Sequence, residues 1–409
     1  MKESSEQTAD TIEGDWCRED QLPEETRCRL EGLKCMARWL LGLKTDVLSA
    51  QKTFRMLNAF VVNKGDLLQQ GRLSKAEMSW LCLQAGCSML KICEQKGVGD
   101  QFTAEQFYNL SQLMVDEVPQ VREAFGSKLH KGLGRGIPNK CLPLDFMGYY
   151  ALAGKEQDKR LKCVLKTYMQ TDINKRRDYV KTLSLGTVER AMGQLPHILP
   201  DYMLVFAVPI LAHDPEFTSH LMVNQLKVIQ QCLWFILEPL ITKNEYYCYG
   251  FYKNLIERMK SHKDALKPED NNMNYKLWAV CDLAMNVIYT KTTNFDMKEF
   301  PSETRIPTMY FKRADELLTN TRNYLPAEMQ INMSSPKGKG SLHNTHSVSE
   351  RPQRRAKSKQ QKEVGIGPNE TDARPAEASE TRIQLPGLEE EIEEPPAKRA
   401  LRESDKVNK

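Results

Sequence analysis

The chain has 409 residues, enough for two or three ordinary domains or for one extended array of repeats around a continuous core. Its 58 basic and 54 acidic residues leave a formal charge of +4, so the whole-molecule field gives no case for wrapping a polyanion, and nucleic-acid binding would need a local patch. The 11 cysteines, an odd number scattered through apolar segments, read as reduced core thiols in a reducing compartment rather than as a disulfide framework.

The first stretch, MKESSEQTADTIEGDWCREDQLPEE, is polar and acid-rich, without the apolar core of a signal peptide or the character of a basic presequence. Residues 1 to 25 are therefore expected to be disordered and the chain to reside in the cytosol or nucleus. From Thr26 to about Leu325, amphipathic stretches of roughly 12 to 20 residues follow one another, broken by short Gly, Pro, Asn or Asp punctuation. TRCRLEGLKCMARWLLGL places Leu30, Leu33, Met36, Ala37, Leu40 and Leu41 at spacings of three and four, and the next segment repeats this with Val47, Phe54, Leu57 and Val61 before Gly65. SKAEMSWLCLQAGCSMLKIC opens with Ser74 and Glu77 in the spacing of a capping box. In DEVPQVREAFGSKLHKGL, residues 116 to 133, Val121, Phe125, Leu129 and Leu133 form one stripe. Pro119 suits the first turn, and Asp116 can accept bonds from amides that the helix start leaves unpaired.

Further helices are predicted at TAEQFYNLSQLMV, LPLDFMGYYALAG, DKRLKCVLKTYMQ, PDYMLVFAVPILA, MVNQLKVIQQCLWFILEPLI, NEYYCYGFYKNLIERMKSH and NYKLWAVCDLAMNVIYT, with no convincing strand. YMLVFAVPILA, the longest apolar run, is too short to span a bilayer and contains Pro209. Paired amphipathic helices that need neighbouring pairs to bury their remaining faces predict an all-α fold, an α-solenoid of HEAT-like hairpins over residues 26 to 330. The order Leu113, Asp116, Val121, Arg122, Leu129 follows the HEAT pattern, in which Val packs between two helices and Arg reaches acidic or carbonyl groups of an adjacent repeat. Residues 331 to 409 contain no Phe, Trp or Tyr and are rich in Ser, Pro, Lys, Arg and Glu, the composition of a disordered tail.

Chemistry-bearing constellations are sparse. Cys82, Cys87 and Cys93 fall on one predicted helix with Cys87 pointing away from the other two, so they cannot chelate one ion locally. KGLGRGIPNK, residues 131 to 140, has the glycine density of a phosphate loop but follows a helix and ends in Pro-Asn, so it reads as a Gly-terminated helix and loop. His213 beside Asp214 suggests a relay pair, yet adjacent side chains seldom converge, and Asp214-Pro215 reads as a turn. No catalytic residue, metal or cofactor is assigned, and no enzyme is expected.

Two sets of basic residues remain. Lys159 and Arg160, with Lys175, Arg176 and Arg177, form a candidate partner-binding patch, set against the simpler reading of a solvated face. The tail carries RPQRRAKSKQQK and PPAKRALR, whose Arg354, Arg355, Lys357, Lys398, Arg399 and Arg402 are candidate nuclear-localisation residues for an import receptor.

The blocks RLEGLKCMARWLLG, LMVDEVPQVREAFGSKLHKGL, LPLDFMGYYAL, HDPEFT, CLWFILEPLITKNE and TRNYLPAEM, in this order and spacing, resemble the sister chromatid cohesion family named for precocious dissociation of sisters. The resemblance covers residues 26 to 330 and corresponds to the C-terminal part of that family's HEAT array. It implies a nuclear, non-enzymatic scaffold that binds the cohesin ring through its kleisin subunit, reaches chromatin indirectly and acts in mitosis and cell division. The family's N-terminal region, which docks Wapl and the protecting factor, has no counterpart here, so Wapl is a weaker expectation than kleisin. No kleisin-contacting residue is carried over by name. The alternative that needs only the solenoid is a generic HEAT adaptor for phosphatase assembly or nuclear transport.

Overall fold

Ten bounded α-helices, with a further helical turn at 195–198, succeed one another among the described residues of the computed structural model, which are 14–43, 45–183, 195–242, 244–245, 247–297, 304–314 and 321–330. The first three are α1 (Glu24–Leu43), α2 (Val47–Val62) and α3 (Lys75–Cys93), and both α1 and α2 lie on α3. Ser74 caps α3 as expected: its hydroxyl accepts the Glu77 amide at 3.3 Å, and the Glu77 carboxylate accepts the Ser74 amide at 2.9 Å. That carboxylate also accepts the Thr26 hydroxyl at 2.5 Å, which fastens the start of α1 to α3. Burial opposes the charge on Glu77, but the bonds from Thr26 and Ser74 hold its carboxyl below the usual range.

The packing starts earlier than residue 26. Trp16 stacks on Trp80 with ring centroids 4.5 Å apart, the Trp80 indole donates to the Cys17 carbonyl at 3.0 Å, and Leu22 is buried. The expected boundary at residue 25 therefore moves back to at least Trp16, because one aromatic pair gives this polar stretch an apolar anchor. Residues 1–13 lie outside the described residues.

Next come α4 (Ala104–Ser111), a 3-10 turn over Gln112–Val115, and α5 (Pro119–Gly134). Pro119 occupies the first turn of α5, and the Val118 amide donates to Asp116 at 2.9 Å, as the sequence predicts. Val121, Phe125, Leu129 and Leu133 are all fully buried. Then α6 (Lys159–Leu183) packs on α5, and α7 (Met203–Ala212), α8 (Val223–Ile241), α9 (Tyr249–Lys260) and α10 (Asn271–Lys291) complete the array, with α10 touching α7, α8 and α9. This is an α-solenoid, and none of its described helices is long and apolar enough to cross a membrane.

Two elements differ from the sequence reading. LPLDFMGYYALAG forms not an α-helix but a 3-10 helix over Leu144–Lys155, buried almost all round between α7 and α8. Gly148 and Gly154 explain the tight fit: a Cβ on Gly148 would lie 3.0 Å from the Phe206 carbonyl carbon, and one on Gly154 would lie 2.4 Å from the Cys232 Cα. The second difference is a pair of three-residue antiparallel strands, β1 (His262–Asp264) and β2 (Phe311–Arg313), with Lys263 opposite Lys312. Strands this short show no legible alternation, and their partners are distant in sequence.

The last described segment, 321–330, is fastened to α9 and α10. Lys260 pairs with Asp282 at 2.5 Å and donates to the Arg322 carbonyl at 2.9 Å, while Asp282 accepts the Tyr324 amide at 2.8 Å. Asn286 donates to the Met329 carbonyl at 3.1 Å, and Leu325 is buried. The block TRNYLPAEM thus belongs to the folded unit. The expected tail and its residues Arg354, Arg355, Lys357, Lys398, Arg399 and Arg402 lie outside the described residues.

Candidate docking groove

Where the helical hairpins turn, charged side chains gather along a ridge. Arg122 leaves the first turns of α5, donates through Nη1 to the Asp116 carbonyl at 2.7 Å, and reaches Glu156 at the end of the 3-10 helix through Nε and Nη2 at 2.7 and 3.0 Å. This bidentate pair joins one repeat to the next, as the Val-Arg spacing predicts. Burial opposes the Glu156 charge, yet the Arg122 bonds and the Asp158 amide hold its carboxyl below the usual range. One position earlier, Lys155 repeats the device with Asp214 at 2.5 Å and Glu216 at 3.3 Å. Desolvation works against its ammonium, but those two carboxylates raise it above the ordinary lysine range. On the other flank Lys64 pairs with Glu117 at 2.5 Å.

These three pairs line a groove of about 760 Å³ whose floor is apolar, with Val61, Leu113, Met114 and Val115. Its rim carries five carboxylates (Asp116, Glu117, Glu156, Asp214, Glu216) against three cations (Lys64, Arg122, Lys155), so the groove is net acidic. Glu117 and Glu216 remain open to solvent, with side-chain exposures of 84% and 66%. An apolar floor with a charged rim suits an extended or helical segment of a partner, held by a few apolar anchors and steered by charge.

The basic patch read from the sequence does not assemble. Lys159 and Arg160 start α6, and Lys175 lies about 24 Å further along the same helix at 1.5 Å per residue. Arg160 is bound bidentately to Glu123 at 3.0 and 2.8 Å, and Lys175 is exposed. Arg177 is largely buried, 3.9 Å from Asp201. Arg176 is only 2% exposed and donates through Nη2 to the Leu142 carbonyl at 3.1 Å. The signal that places Arg176 inside was in the sequence: it continues the stripe Leu161, Leu165, Met169, Asp172 at spacings of four and three, all buried.

The remaining sequence candidates resolve as follows. Cys82 and Cys93 are buried and Cys87 partly so; burial pushes the Cys82 thiol up to about 12 and that of Cys87 to about 11, which keeps them protonated in the core. Among the described residues no three His, Cys, Asp or Glu side chains are grouped to hold a metal. Within KGLGRGIPNK, α5 runs through Gly134 and ends there, as a Gly-terminated helix. Asp214 forms the expected turn by accepting the Glu216 amide at 3.1 Å, whereas His213 turns away from it to Asp264 at 2.8 Å and stacks on Tyr108 at 4.1 Å. That pairing joins residues 51 positions apart and had no sequence signal.

Stacked helical hairpins, cross-repeat charge pairs and an open groove define the class: a helical-repeat protein of the solenoid kind. The family model described as sister chromatid cohesion protein PDS5 matches residues 1–312, and the chain belongs to this family. It is 37% identical over 316 residues to sister chromatid cohesion protein PDS5 homolog B-B of Xenopus laevis, across 77% of this chain and 21% of that protein. Against the human PDS5 homolog B the identity is 36% over 316 residues, covering 77% and 21%. Against the human PDS5 homolog A it is 34% over 325 residues, covering 79% and 24%. The chain thus matches about a fifth of the length of these relatives.

Proposed function

We propose that this chain is a non-enzymatic scaffold of sister chromatid cohesion that associates with the cohesin ring and takes a segment of its kleisin subunit into the groove beside Arg122 and Lys155. The observation that carries this reading is the family membership, since the relatives are named for sister chromatid cohesion. The groove supplies the means: an apolar floor, an acidic excess on the rim, and a frame of cross-repeat ion pairs. Its net charge favours a segment with basic flanks, opposite to what the five basic residues of α6 would select. The protein is proposed to act in the nucleus, brought there by an import receptor that reads Lys398, Arg399 and Arg402, with Wapl a secondary partner. Truncation after Asn332 is expected to reduce nuclear accumulation of a tagged chain, and equal accumulation of both forms would remove the tail from this account.

The decisive experiment is recovery of cohesin subunits on the tagged chain from nuclear extract, beside a Glu117→Lys, Glu216→Lys double variant. Both side chains are solvent-open, so the fold should be retained, and kleisin-fragment capture should weaken at low salt and less at moderate salt. Capture by the folded double variant at wild-type strength would remove the groove from the mechanism. Absence of cohesin subunits on the wild type would favour the generic adaptor of phosphatase assembly or nuclear transport.

A further inference from the structure

Lys175, set apart on α6 from the other basic residues of that helix, belongs to a different group of cations. Lys128, Lys131 and Arg135 recur at spacings of three and four, so they form one line along the outer side of α5, away from its buried stripe. That line is tied to both neighbouring helices. On the α3 side the Lys128 charge acts on the Cys87 thiol, and Lys91 and Arg135 share the Glu94 carboxylate at 2.8 and 3.7 Å. On the α6 side a Cβ on Gly134 would lie 2.8 Å from the Lys175 Nζ, and just past α5 Lys140 folds back beside Gly136. All six cations are exposed. Among the described residues Lys128, Lys131, Lys140 and Lys175 have no ion-pair partner, and Glu94 is the one carboxylate set among the six. The other acids of α5 and α6 are engaged elsewhere: Glu123 by Arg160, Asp178 by Lys181, and the buried Asp172 by Tyr150 and His130.

Lys131 and Arg135 complement the negative end of the α5 dipole, but Lys128 and Lys175 stand before the last turns of their helices, so the dipole does not account for the group. Three helices packed roughly 8–10 Å apart make the patch about 20 Å wide. Over that width a nucleic-acid duplex carries about 12 phosphates, a rigid array of charge that a rigid face of cations can match. None of the large apolar side chains exposed among the described residues lies here, and Tyr168 has its ring stacked on His130 at 4.4 Å. Nothing is left to stack unpaired bases or to anchor the apolar positions of an acidic peptide. We propose that this face of α3, α5 and α6 binds the phosphate backbone of double-stranded DNA without regard to sequence, with Lys128, Lys131, Lys140 and Lys175 pairing with phosphates. The choice of DNA over duplex RNA rests on membership of a family named for sister chromatids. The patch shares no residue with the groove around Arg122, so it is independent of the kleisin reading.

The test uses the full chain and a labelled DNA duplex of about 24 base pairs, with affinity followed by fluorescence anisotropy between about 50 and 200 mM salt. Lys128→Gln with Lys131→Gln should weaken binding at least about 10-fold at the lower salt and make the slope of log K against log salt shallower by about 1.8. Lys175→Gln, on a different helix, should make it shallower by about 0.9 and keeps the test valid if the double variant does not fold, as judged by circular dichroism. Basic segments elsewhere in the chain contribute equally to every variant. Lys52→Gln with Lys227→Gln removes the same charge from exposed positions on α2 and α8 and should leave affinity and slope at wild-type values. Kleisin capture should be unchanged by the patch variants, which separates failure here from failure of the groove. The proposal is overturned if the folded patch variants bind the duplex like the wild type, or if the α2 and α8 pair weakens binding as much. It is also overturned if one strand of the duplex, or poly-L-glutamate, binds as tightly as the duplex and is weakened by the same variants, the second result assigning the patch to an acidic protein segment.

Discussion

Arg122 on α5 and Arg176 on α6 sit on neighbouring helices of one array, yet they solve opposite problems. Arg122 is held by Glu156 in a bidentate pair and by the Asp116 carbonyl, so its charge joins two repeats. Arg176 is more deeply buried, has no carboxylate bonded to it among the described residues, and faces a cavity. A cation bonded to a carboxylate at a repeat junction ties the frame together, whereas one enclosed in the core is held by a carbonyl and by the longer-range attraction of Asp172 and Asp145.

The largest expected effect destroys the frame on which both regions depend. Phe125 is fully buried in the α5 seam, and Phe125→Asp places an unpaired carboxylate there. The cost should be about 4 kcal/mol or more, read as a lost or much earlier urea transition. Next, Arg122→Met leaves Glu156 buried and unpaired, with a side-chain exposure of 2%. Stability should fall by about 3 kcal/mol in the same titration. Arg176→Met should cost less, about 1 kcal/mol, since it removes the bond to the Leu142 carbonyl and only a longer-range attraction to Asp172 and Asp145. A large loss there would show that Arg176 is as much a structural cation as Arg122.

Acid titration sharpens the contrast. The folded Glu156 carboxyl lies below the usual range, so it contributes stability that is present above its unfolded value of about 4.3 and is lost as pH falls through the lower folded value. Glu156→Gln should therefore remove part of the acid-side slope of stability against pH, measured by denaturant midpoints between pH 5 and 3. The smallest effect belongs to the exposed end of the ridge. Glu117→Gln breaks only the solvent-exposed pair with Lys64 and should cost at most about 0.5 kcal/mol. A larger loss would mean that the groove rim is as much a part of the frame as Glu156.

The sequence by itself determined the local structure. The Ser74 and Glu77 cap, Pro119 at the start of α5 and the buried stripe from Val121 to Leu133 were legible because caps and helical periodicity depend on residues within one or two turns. The Arg122 bridge was legible too, since the Val-Arg spacing places that side chain at a repeat junction. Tertiary structure decided what depends on neighbours far along the chain. Leu144–Lys155 became a 3-10 helix because α7 and α8 close on its glycines, β1 found β2 across 46 intervening positions, and His213 turned to Asp264 instead of Asp214. The five basic residues of α6 were separated for the same reason: charge is written in the sequence, but whether it faces water, a carboxylate or a cavity is set by what packs against it.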